Sequence, residues 1–240
     1  MDQRVTLVTG VSKGIGKAVA EDMTARGHHV VGMSRSPPGD WFKGTFVAVD
    51  FADAAATQDA LASVVKEHRI TGLVNNAGVS NAKRAEDVTL EDIDKVMGVN
   101  FRALVQCIQA VLPGMRQGGY GRIVNIGSRA ALGREARIVY GGSKAAVASM
   151  TRSLALEVAS EGITVNCVAP GPVETELFQV NHPHGSAARQ KIAGAIPMQR
   201  IGTTKEVAAA CAYFLSEDAA YTTGQVLYVC GALSVGQALM

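Results

Sequence analysis

The sequence of 240 residues lacks a large excess of either charge and has no long apolar run. Lysine and arginine number 23 against 21 aspartate and glutamate residues, a formal net charge of +2 without blocks of like charge. Nucleic-acid-binding surfaces need an excess of basic residues, so we expect no nucleic-acid partner. No apolar stretch approaches the roughly 18 residues of a membrane-spanning helix, and the start MDQRVTLVTG does not have the pattern of a signal peptide. We therefore expect a cytoplasmic protein that does not bind membranes.

The spacings typical of disulfides and metal sites are also missing. The sequence has four scattered cysteines in apolar surroundings such as VNCVAPG, which are Cys107, Cys167, Cys211 and Cys230. This pattern indicates buried thiols rather than disulfides or metal ligands. His182 and His184 share the stretch NHPHG, but two loop histidines without a carboxylate partner do not predict a metal site. We expect no metal.

Short β-rich segments alternate with segments of helical pattern along the whole chain. The predicted strands are RVTLVTG, HHVVGMS, TFVAVDF, TGLVNNAG, GRIVNIGS, ITVNCVAPG and QVLYVCG. Such alternation is typical of a parallel sheet with helices on both faces. The 48% hydrophobic content is sufficient for one sizeable core. We therefore expect a single α/β domain over residues 1–240, a Rossmann-type, doubly wound parallel sheet in three αβα layers.

Five helices and one irregular segment can be predicted from local patterns, and two of these helices are one that runs through Glu67 and one that carries Tyr140. Helical patterns cover residues 15–26 and 205–216, and Thr89 followed by Asp92 predicts a capping box that opens a long helix through Val111. Residues 172–197 have no sustained apolar period, and the segment is long for an ordinary connection in a compact domain. We predict that it is a substrate lid.

The stretch VYGGSKAAV places Tyr140 and Lys144 one helical turn apart. Residues four apart on a helix are surface neighbours, so the Lys144 ammonium can lie near the Tyr140 phenol. At roughly 5 Å and an effective dielectric of about 20, a lysine attracts a phenolate by about 3 kcal/mol. The pair is therefore a candidate proton donor and acceptor.

A glycine-rich turn follows the first predicted strand. The stretch TGVSKGIG has glycines at 10, 14 and 16 and leads into the first helix. Glycines allow a tight turn and close backbone approach to a pyrophosphate, while the helix N-terminus supplies free amides. The second strand ends at Ser34 and Arg35 rather than at the acidic residue that holds the ribose of NAD. Arg35 can bind a ribose 2′-phosphate, with Lys13 as a second cation, so NADP is the predicted cofactor and NAD the less favoured one.

With these motifs, the sequence resembles the single-domain branch of the short-chain dehydrogenase/reductase family. The resemblance is carried in order by TGVSKGIG, NNAG, VN, Ser128, YxxxK and PGPVET. It implies a catalytic group of Asn100, Ser128, Tyr140 and Lys144. In such enzymes the tyrosine exchanges a proton with the substrate oxygen during hydride transfer and the serine hydrogen-bonds that oxygen. The lysine favours the phenolate and holds the nicotinamide ribose, and the asparagine fixes a water in a proton relay.

The resemblance also implies the cofactor-binding residues. It places Asp50 and Phe51 at the adenine, Asn76 and its neighbours along the adenosine ribose, and Val173 and Thr175 at the nicotinamide carboxamide. The full predicted set is Gly10, Ser12, Lys13, Gly14, Ile15, Gly16, Ser34, Arg35, Asp50, Phe51, Asn76, Ala77, Gly78, Tyr140, Lys144, Pro170, Gly171, Val173 and Thr175.

The last predicted strand departs from the family pattern. VCGALS stands where relatives commonly have Asp-Gly-Gly, so Cys230 and Ala232 put the usual C-terminal contacts in doubt. Relatives usually form tetramers through the helices that carry Asn100 and Tyr140. We expect a homotetramer, with a dimer as the alternative.

The predicted substrate is a small ketone or secondary alcohol, and the sequence leaves its identity open. The chain is similar to the 3-oxoacyl-acyl-carrier-protein reductases, but Gly119 and Glu161 stand where a cation would favour the acidic carrier protein. A cluster of arginines in SRAALGREAR favours a substrate with an acidic group; these are Arg129, Arg134 and Arg137. Such a chain could also be a non-catalytic dinucleotide sensor, although a sensor is expected to lose the tyrosine, lysine or serine. An epimerase or dehydratase acting on nucleotide sugars is a further alternative, but in related folds such enzymes need a larger C-terminal domain than these 240 residues can contain.

Overall fold

A computed structural model describes residues 4–235 of the chain. It contains nine strands: β1 Val5–Thr9, β2 His29–Ser34, β3 Thr45–Ala48, β4 Gly72–Asn75, β5 Gly121–Ile126, β6 Ile163–Pro170, β7 Val173–Glu174, β8 Gly202–Thr203 and β9 Val226–Val229. Seven of them form one sheet in the order β3-β2-β1-β4-β5-β6-β9, while β7 and β8 pair separately. Every described pairing in the large sheet is parallel. The predicted parallel sheet is confirmed.

Eight α-helices flank the large sheet or follow it. They are α1 Gly14–Ala25, α2 Ala54–Glu67, α3 Leu90–Met97, α4 Ala103–Gly118, α5 Ile138–Val158, α6 Glu176–Asn181, α7 Ala187–Gly194 and α8 Thr204–Leu215. One core joins a sheet face to α1 and α8, through residues such as Val19 and Val207. A second core joins the opposite face to α2, α4 and α5, through residues such as Leu61, Ile108 and Leu154. The doubly wound, three-layer arrangement is therefore confirmed.

The burial of the strands explains why they are nearly continuous in apolar residues. All residues of β5 and β6 are buried. A parallel sheet covered by helices on both faces has no solvent-facing side, so its strands do not alternate between polar and apolar residues. The order of the strands reverses at β1, whose neighbours are β2 and β4. Ligands of open α/β sheets bind at the carboxyl ends of the strands beside such a reversal.

The long helix predicted to start at Thr89 is present but interrupted. Thr89 and Asp92 form the capping box in front of α3. A π-helical turn, Gly98–Arg102, then separates α3 from α4. The residue after α4, Gly119, caps its end with a left-handed φ of 59°. By length and composition the run Leu90–Gln117 could cross a membrane. In the fold, however, α4 packs on α2 and on the sheet through buried residues such as Leu104 and Ile108, as a core helix does.

Residues 172–197 are more regular than the sequence indicated. The segment contains β7, α6 and α7, and β7 pairs with β8 through Val173 and Gly202. An ion pair between Arg189 and Glu174 ties α7 back to β7. Glu174 also lies 4.0 Å from Nε2 of His184, so this histidine has a carboxylate neighbour that the sequence did not reveal. The prediction of an irregular segment was wrong because α6 and α7 have only six and eight residues, too few to show a sustained helical period.

The cysteines follow the prediction in three of four cases. All four are free thiols, and Cys107, Cys167 and Cys211 are buried. Burial raises the pKa of Cys107 to about 12 and that of Cys167 to about 11, so both remain protonated at neutral pH. Cys230, in contrast, is only half-buried, with its Sγ 3.2 Å from Oγ of Ser234. It lies past the end of β9, where the chain has left the sheet.

Candidate active site

The predicted catalytic residues come from three elements beside the carboxyl ends of the central strands. Asn100 lies in the π-helical turn, Ser128 follows β5, and Tyr140 and Lys144 lie on α5. Gly78, which lies shortly after β4, is close to the side chains of both Asn100 and Lys144. A Cβ added at Gly78 would lie 3.3 Å from Oδ1 of Asn100 and 3.6 Å from Nζ of Lys144. The fold therefore brings Asn100 and Lys144, which are far apart in sequence, together beside Gly78.

Lys144 is a buried cation without an acidic partner. Its residue is only 4% exposed, and its Nζ donates a hydrogen bond of 2.7 Å to the carbonyl of Ile126. Among residues 4–235 it makes no ion pair. The Nζ lies 5.9 Å from the centre of the Tyr140 ring. Burying an unpaired ammonium costs free energy, and two of its three donors remain for a ligand.

Ser128 presents a hydroxyl at the end of β5. Its Oγ accepts a hydrogen bond of 3.1 Å from the amide of Ala130, which caps the short 3-10 helix Arg129–Leu132. A hydroxyl that accepts one hydrogen bond can still donate its proton. The Ser128 proton is therefore available for a substrate oxygen.

Asn100 is held by three hydrogen bonds from its side chain. Its Oδ1 accepts from the amide of Val79 at 2.8 Å, and its Nδ2 donates to the Val79 carbonyl and to Oγ of Ser143, both at 3.0 Å. Ser143 in turn donates to the carbonyl of Tyr140 at 2.8 Å. These bonds engage both Nδ2 protons, so the side chain positions its neighbours. Ser143 was not predicted, since its one signal in the sequence was its place next to Lys144.

The glycine turn between β1 and α1 has no room for a side chain at Gly16. A Cβ at Gly16 would lie 2.2 Å from the carbonyl oxygen of Gly10, and Gly10 and Gly14 have left-handed φ values of 69° and 58°. No side chain caps the amino end of α1, and its first turn has no acidic residue. Of the other turn residues, Lys13 is exposed, and Ser12 and Ile15 are half-buried. The turn therefore exposes backbone amides to an anion.

A hydroxyl missed in the sequence fixes the NNAG segment to this turn. Thr9 Oγ1 accepts hydrogen bonds from the amides of Asn76 and Ala77, both at 2.9 Å. Nδ2 of Asn76 donates to the carbonyls of Thr9 and Gly10, at 2.9 and 3.2 Å. Asn76 therefore braces the phosphate turn, while its Oδ1 remains open to the predicted ribose.

The residues predicted at the 2′-phosphate lie at the same sheet edge. Thr9 pairs with Met33, and the amide of Gly10 donates to the Met33 carbonyl at 2.7 Å, so the glycine turn and the end of β2 are adjacent. Ser34 is buried and its Oγ donates to the Ser36 carbonyl at 2.8 Å. Lys13 and Arg35 are exposed, and neither makes an ion pair within residues 4–235.

The predicted adenine contacts lie in the loop after β3. Asp50 is exposed, and its Oδ1 accepts from the amide of Ala52 at 3.0 Å. Phe51 is buried. Arg102 donates to the carbonyls of Phe51 and Ala52 at 2.9 and 2.8 Å and so anchors this loop to the π-helical turn. No local pattern indicated this role for Arg102, because its partners are 51 and 50 residues away in the sequence.

The PGPVET segment runs from the end of β6 back to the glycine turn. Pro170 ends β6, and the amide of Gly171 donates to the Val229 carbonyl at 2.9 Å. Val173 is buried, and Thr175 caps α6 by accepting from the Phe178 amide at 3.1 Å. A Cβ at Gly14 would lie 3.4 Å from Cγ2 of Thr175. The segment is therefore placed to contact whatever the glycine turn binds.

Comparison with known proteins decides the family. A family model described as enoyl-(acyl carrier protein) reductase matches residues 10–234. The chain belongs to the short-chain dehydrogenase/reductase family. The predicted resemblance is thus confirmed over nearly the whole chain, and it places the protein among oxidoreductases that act on alcohol and carbonyl groups.

Relatives within the short-chain dehydrogenase/reductase family match at full length. The chain is 34% identical to the 3-oxoacyl-[acyl-carrier-protein] reductase FabG of Vibrio cholerae, over 97% of this chain and 98% of that protein. Among solved structures, ElxO with NADP bound has a TM-score of 0.91 at 32% identity, covering 98% of this chain and 100% of that one. A putative 2-deoxy-D-gluconate 3-dehydrogenase from Agrobacterium tumefaciens with bound NADP has a TM-score of 0.89 at 32% identity, covering 97% of each chain.

Proposed function

We propose that this protein is an NADP-dependent oxidoreductase that interconverts a carbonyl group and a secondary alcohol, with Tyr140 as proton donor and acceptor. The observation that carries the proposal is Lys144, a buried and unpaired cation one turn from Tyr140. A buried ammonium without a carboxylate is unfavourable unless a ligand or a developing negative charge uses it. In this reading Lys144 favours the Tyr140 phenolate, and Ser128 donates to the substrate oxygen.

The glycine turn and its neighbours fit a dinucleotide. The close contact of Gly16 with Gly10 leaves no space for a Cβ at position 16. The backbone amides at the start of α1, which no side chain caps, can donate hydrogen bonds to a pyrophosphate. Arg35 and Lys13 would hold a 2′-phosphate, and Val173 and Thr175 would lie at the nicotinamide end. When bound, NADP(H) supplies or accepts the hydride. The NADP named with ElxO and with the Agrobacterium protein supports this choice.

A screen of ketones and secondary alcohols tests the proposal. Each compound is mixed with the protein and with NADPH or NADP⁺, and in parallel with NADH or NAD⁺, and the nicotinamide absorbance is followed. We expect turnover with at least one carbonyl compound and a preference for the phosphorylated cofactor. Tight NADP binding without turnover of any compound would instead favour the dinucleotide sensor.

Reduction of 3-oxoacyl groups on acyl carrier protein is a second candidate, because FabG of Vibrio cholerae carries that name. The proposed docking side offers little positive charge. Arg116 forms an ion pair with Glu161 at 2.7 Å, and Gly119 has no side chain. Comparing a 3-oxoacyl group on acyl carrier protein with the same group on a small thiol distinguishes the two functions. A large preference for the protein-bound form would support the carrier-protein reductase.

We further propose a cytoplasmic homotetramer, with a dimer as the alternative. Leu156 is 87% exposed on α5, the helix that carries Tyr140. A single exposed leucine is normal on a monomer, so the proposal rests on the family resemblance, and Leu156 lies on a helix through which relatives usually form tetramers. Light scattering on the purified protein gives the mass directly. A monomer at micromolar concentration would contradict this proposal.

The lid is a separate proposal about residues 172–197. Neither α6 nor α7 contains a buried residue, and the segment follows directly on the proposed cofactor contacts. Elements with few buried contacts open locally at low free energy. Amide hydrogen exchange is expected to be fast in these helices in the free protein and slower with cofactor and substrate. Equal protection in both states would rule out a lid that closes on ligands.

Glu176 is expected to weaken cofactor binding. A cavity of about 220 Å³ lies between α1 and α6, and a Cβ at Gly14 would lie 3.7 Å from Oε2 of Glu176. The carboxylate therefore stands near the proposed pyrophosphate. A like charge about 8 Å away at an effective dielectric of about 40 costs about 1 kcal/mol, or about five-fold in affinity.

Substitution of Glu176 by glutamine tests this charge effect. NADPH fluorescence titration should show several-fold tighter binding to Glu176→Gln, and the effect should shrink with added salt. Glu86→Gln, which removes an exposed carboxylate before α3, serves as the control and should leave the affinity unchanged. Unchanged or weaker binding in Glu176→Gln would show that this carboxylate does not oppose the pyrophosphate.

A further inference from the structure

Positive charge is concentrated between the proposed catalytic Ser128 and Tyr140. This segment contains Arg129, Arg134 and Arg137 but only one carboxylate, Glu135. Glu135 is engaged elsewhere, since its Oε1 lies 3.4 Å from Nη2 of Arg84. Within residues 4–235 none of the three arginines makes an ion pair. With three arginines and one carboxylate, the segment therefore carries a net positive charge beside the reacting groups.

The backbone holds Arg137 next to the active site. It immediately precedes α5, and its carbonyl accepts from the Gly141 amide at 2.6 Å. On the other side of the chain, the carbonyl of Ala136 accepts from the Lys83 amide at 3.1 Å. Ala136 has a left-handed φ of 55°, a conformation that is unfavourable for alanine. Such strain persists where the surroundings impose it, often at binding sites.

The Arg137 guanidinium is half-buried and in an unfavourable electrostatic position. Burial, and next the charge of Arg134, hold its pKa below the usual value, while the nearby Tyr140 raises it. The first turn of α5 has no acidic residue that could offset the positive charge. In the same segment, Nε of Arg129 is buried without a hydrogen-bond partner in the described part of the chain. The free protein therefore pays an electrostatic cost that an incoming anion would relieve.

We propose that Arg137, with Arg134 beside it, binds a carboxylate on the substrate and so selects carbonyl compounds that are also acids. The inference rests on the proposed oxidoreductase function and specifies its substrate class. A planar guanidinium binds a carboxylate through two parallel hydrogen bonds. Arg137 is one helical turn from Tyr140, so the bound acid would place a carbonyl a few bonds away against the phenol. The substrate class is short oxo acids and the corresponding hydroxy acids.

Matched pairs of substrates separate the carboxylate from the carbonyl. Pyruvate, acetoacetate and 4-oxopentanoate are each compared with their methyl esters, both for turnover with NADPH and for calorimetric binding in the presence of NADP⁺, where no reduction occurs. We expect at least one acid to exceed its ester about 10- to 100-fold, the range of a charge-assisted hydrogen bond. In Arg137→Gln the acid should lose this advantage through a higher KM, while the ester keeps its kcat/KM within a few-fold.

Two further variants keep the result interpretable. Arg137→Lys retains the positive charge but lacks the planar guanidinium, so it should keep part of the preference for the acid over its ester. Arg152→Gln removes an exposed arginine from α5, the helix that follows Arg137, and should change nothing. The inference is overturned if no acid binds better than its ester, if Arg137→Gln keeps the preference, or if Arg152→Gln loses it equally. Because binding with NADP⁺ needs no turnover, the preference can be measured even if the proposed reaction fails.

Discussion

Tyr140→Phe is expected to lower turnover by at least about 100-fold while cofactor affinity changes only a few-fold, because it removes a general acid or base but keeps the ring. The phenol lies on α5 with the buried Nζ of Lys144 5.9 Å from its ring centre. The Tyr140 backbone is fixed independently, since its carbonyl accepts from Ser143. The variant should therefore fold and bind cofactor normally.

Steady-state kinetics and NADPH titration on the same samples check this prediction. Tyr221→Phe is the matched control, because Tyr221 is fully exposed. Its kinetics should be those of the unmodified protein. If a folded Tyr140→Phe protein kept near-normal turnover, Tyr140 would not be the proton donor, and the role of Lys144 would need another explanation.

Arg35→Asp is expected to abolish the preference for NADP over NAD. A charge-assisted hydrogen bond from Arg35 to the 2′-phosphate contributes roughly 1.5 to 3 kcal/mol, which is about a ten- to hundredfold preference. Arg35 is exposed and unpaired among the described residues, so its charge is available for the phosphate. Aspartate replaces this attraction with repulsion. Turnover at saturating cofactor should change little, because the nicotinamide end of the site is untouched.

The measurement is kcat/KM with NADPH and with NADH for one ketone. Arg35→Gln removes the attraction for the 2′-phosphate without adding a negative charge, so its preference for NADPH over NADH should lie between those of the unmodified protein and Arg35→Asp. Lys43→Asp, which places a new carboxylate at an exposed position in the loop between β2 and β3, controls for a general charge effect. A higher kcat/KM with NADH in the unmodified protein would contradict the assignment of Arg35.

The features that the sequence predicted are those set by local pattern or by strand order. The alternation of strands and helices was sufficient for the parallel sheet, and Gly10 and Ser128 each follow a strand whose end lies at the binding edge. Thr89 and Asp92 form their capping box because its hydrogen bonds span only three residues. The resemblance supplied the residue roles, which local physics alone does not determine.

The features that were missed depend on contacts between distant segments. Thr9 holds amides 67 and 68 residues away, and Asn100 reaches Ser143 over 43 residues. No local pattern encodes such pairs. The π-helical turn at Asn100 interrupts a helix whose apolar period continues on both sides, so periodicity alone predicted one unbroken helix.

Transfer of deuterium from the cofactor to the product tests the proposed hydride transfer. A ketone or oxo acid that the protein reduces is incubated with NADPH carrying deuterium at both C4 positions, and the alcohol product is analysed by mass spectrometry. We expect an alcohol with one deuterium on the former carbonyl carbon, formed by the unmodified protein and at least about 100-fold more slowly by Tyr140→Phe. An alcohol without deuterium at that carbon, or equal rates for the two proteins, would contradict it.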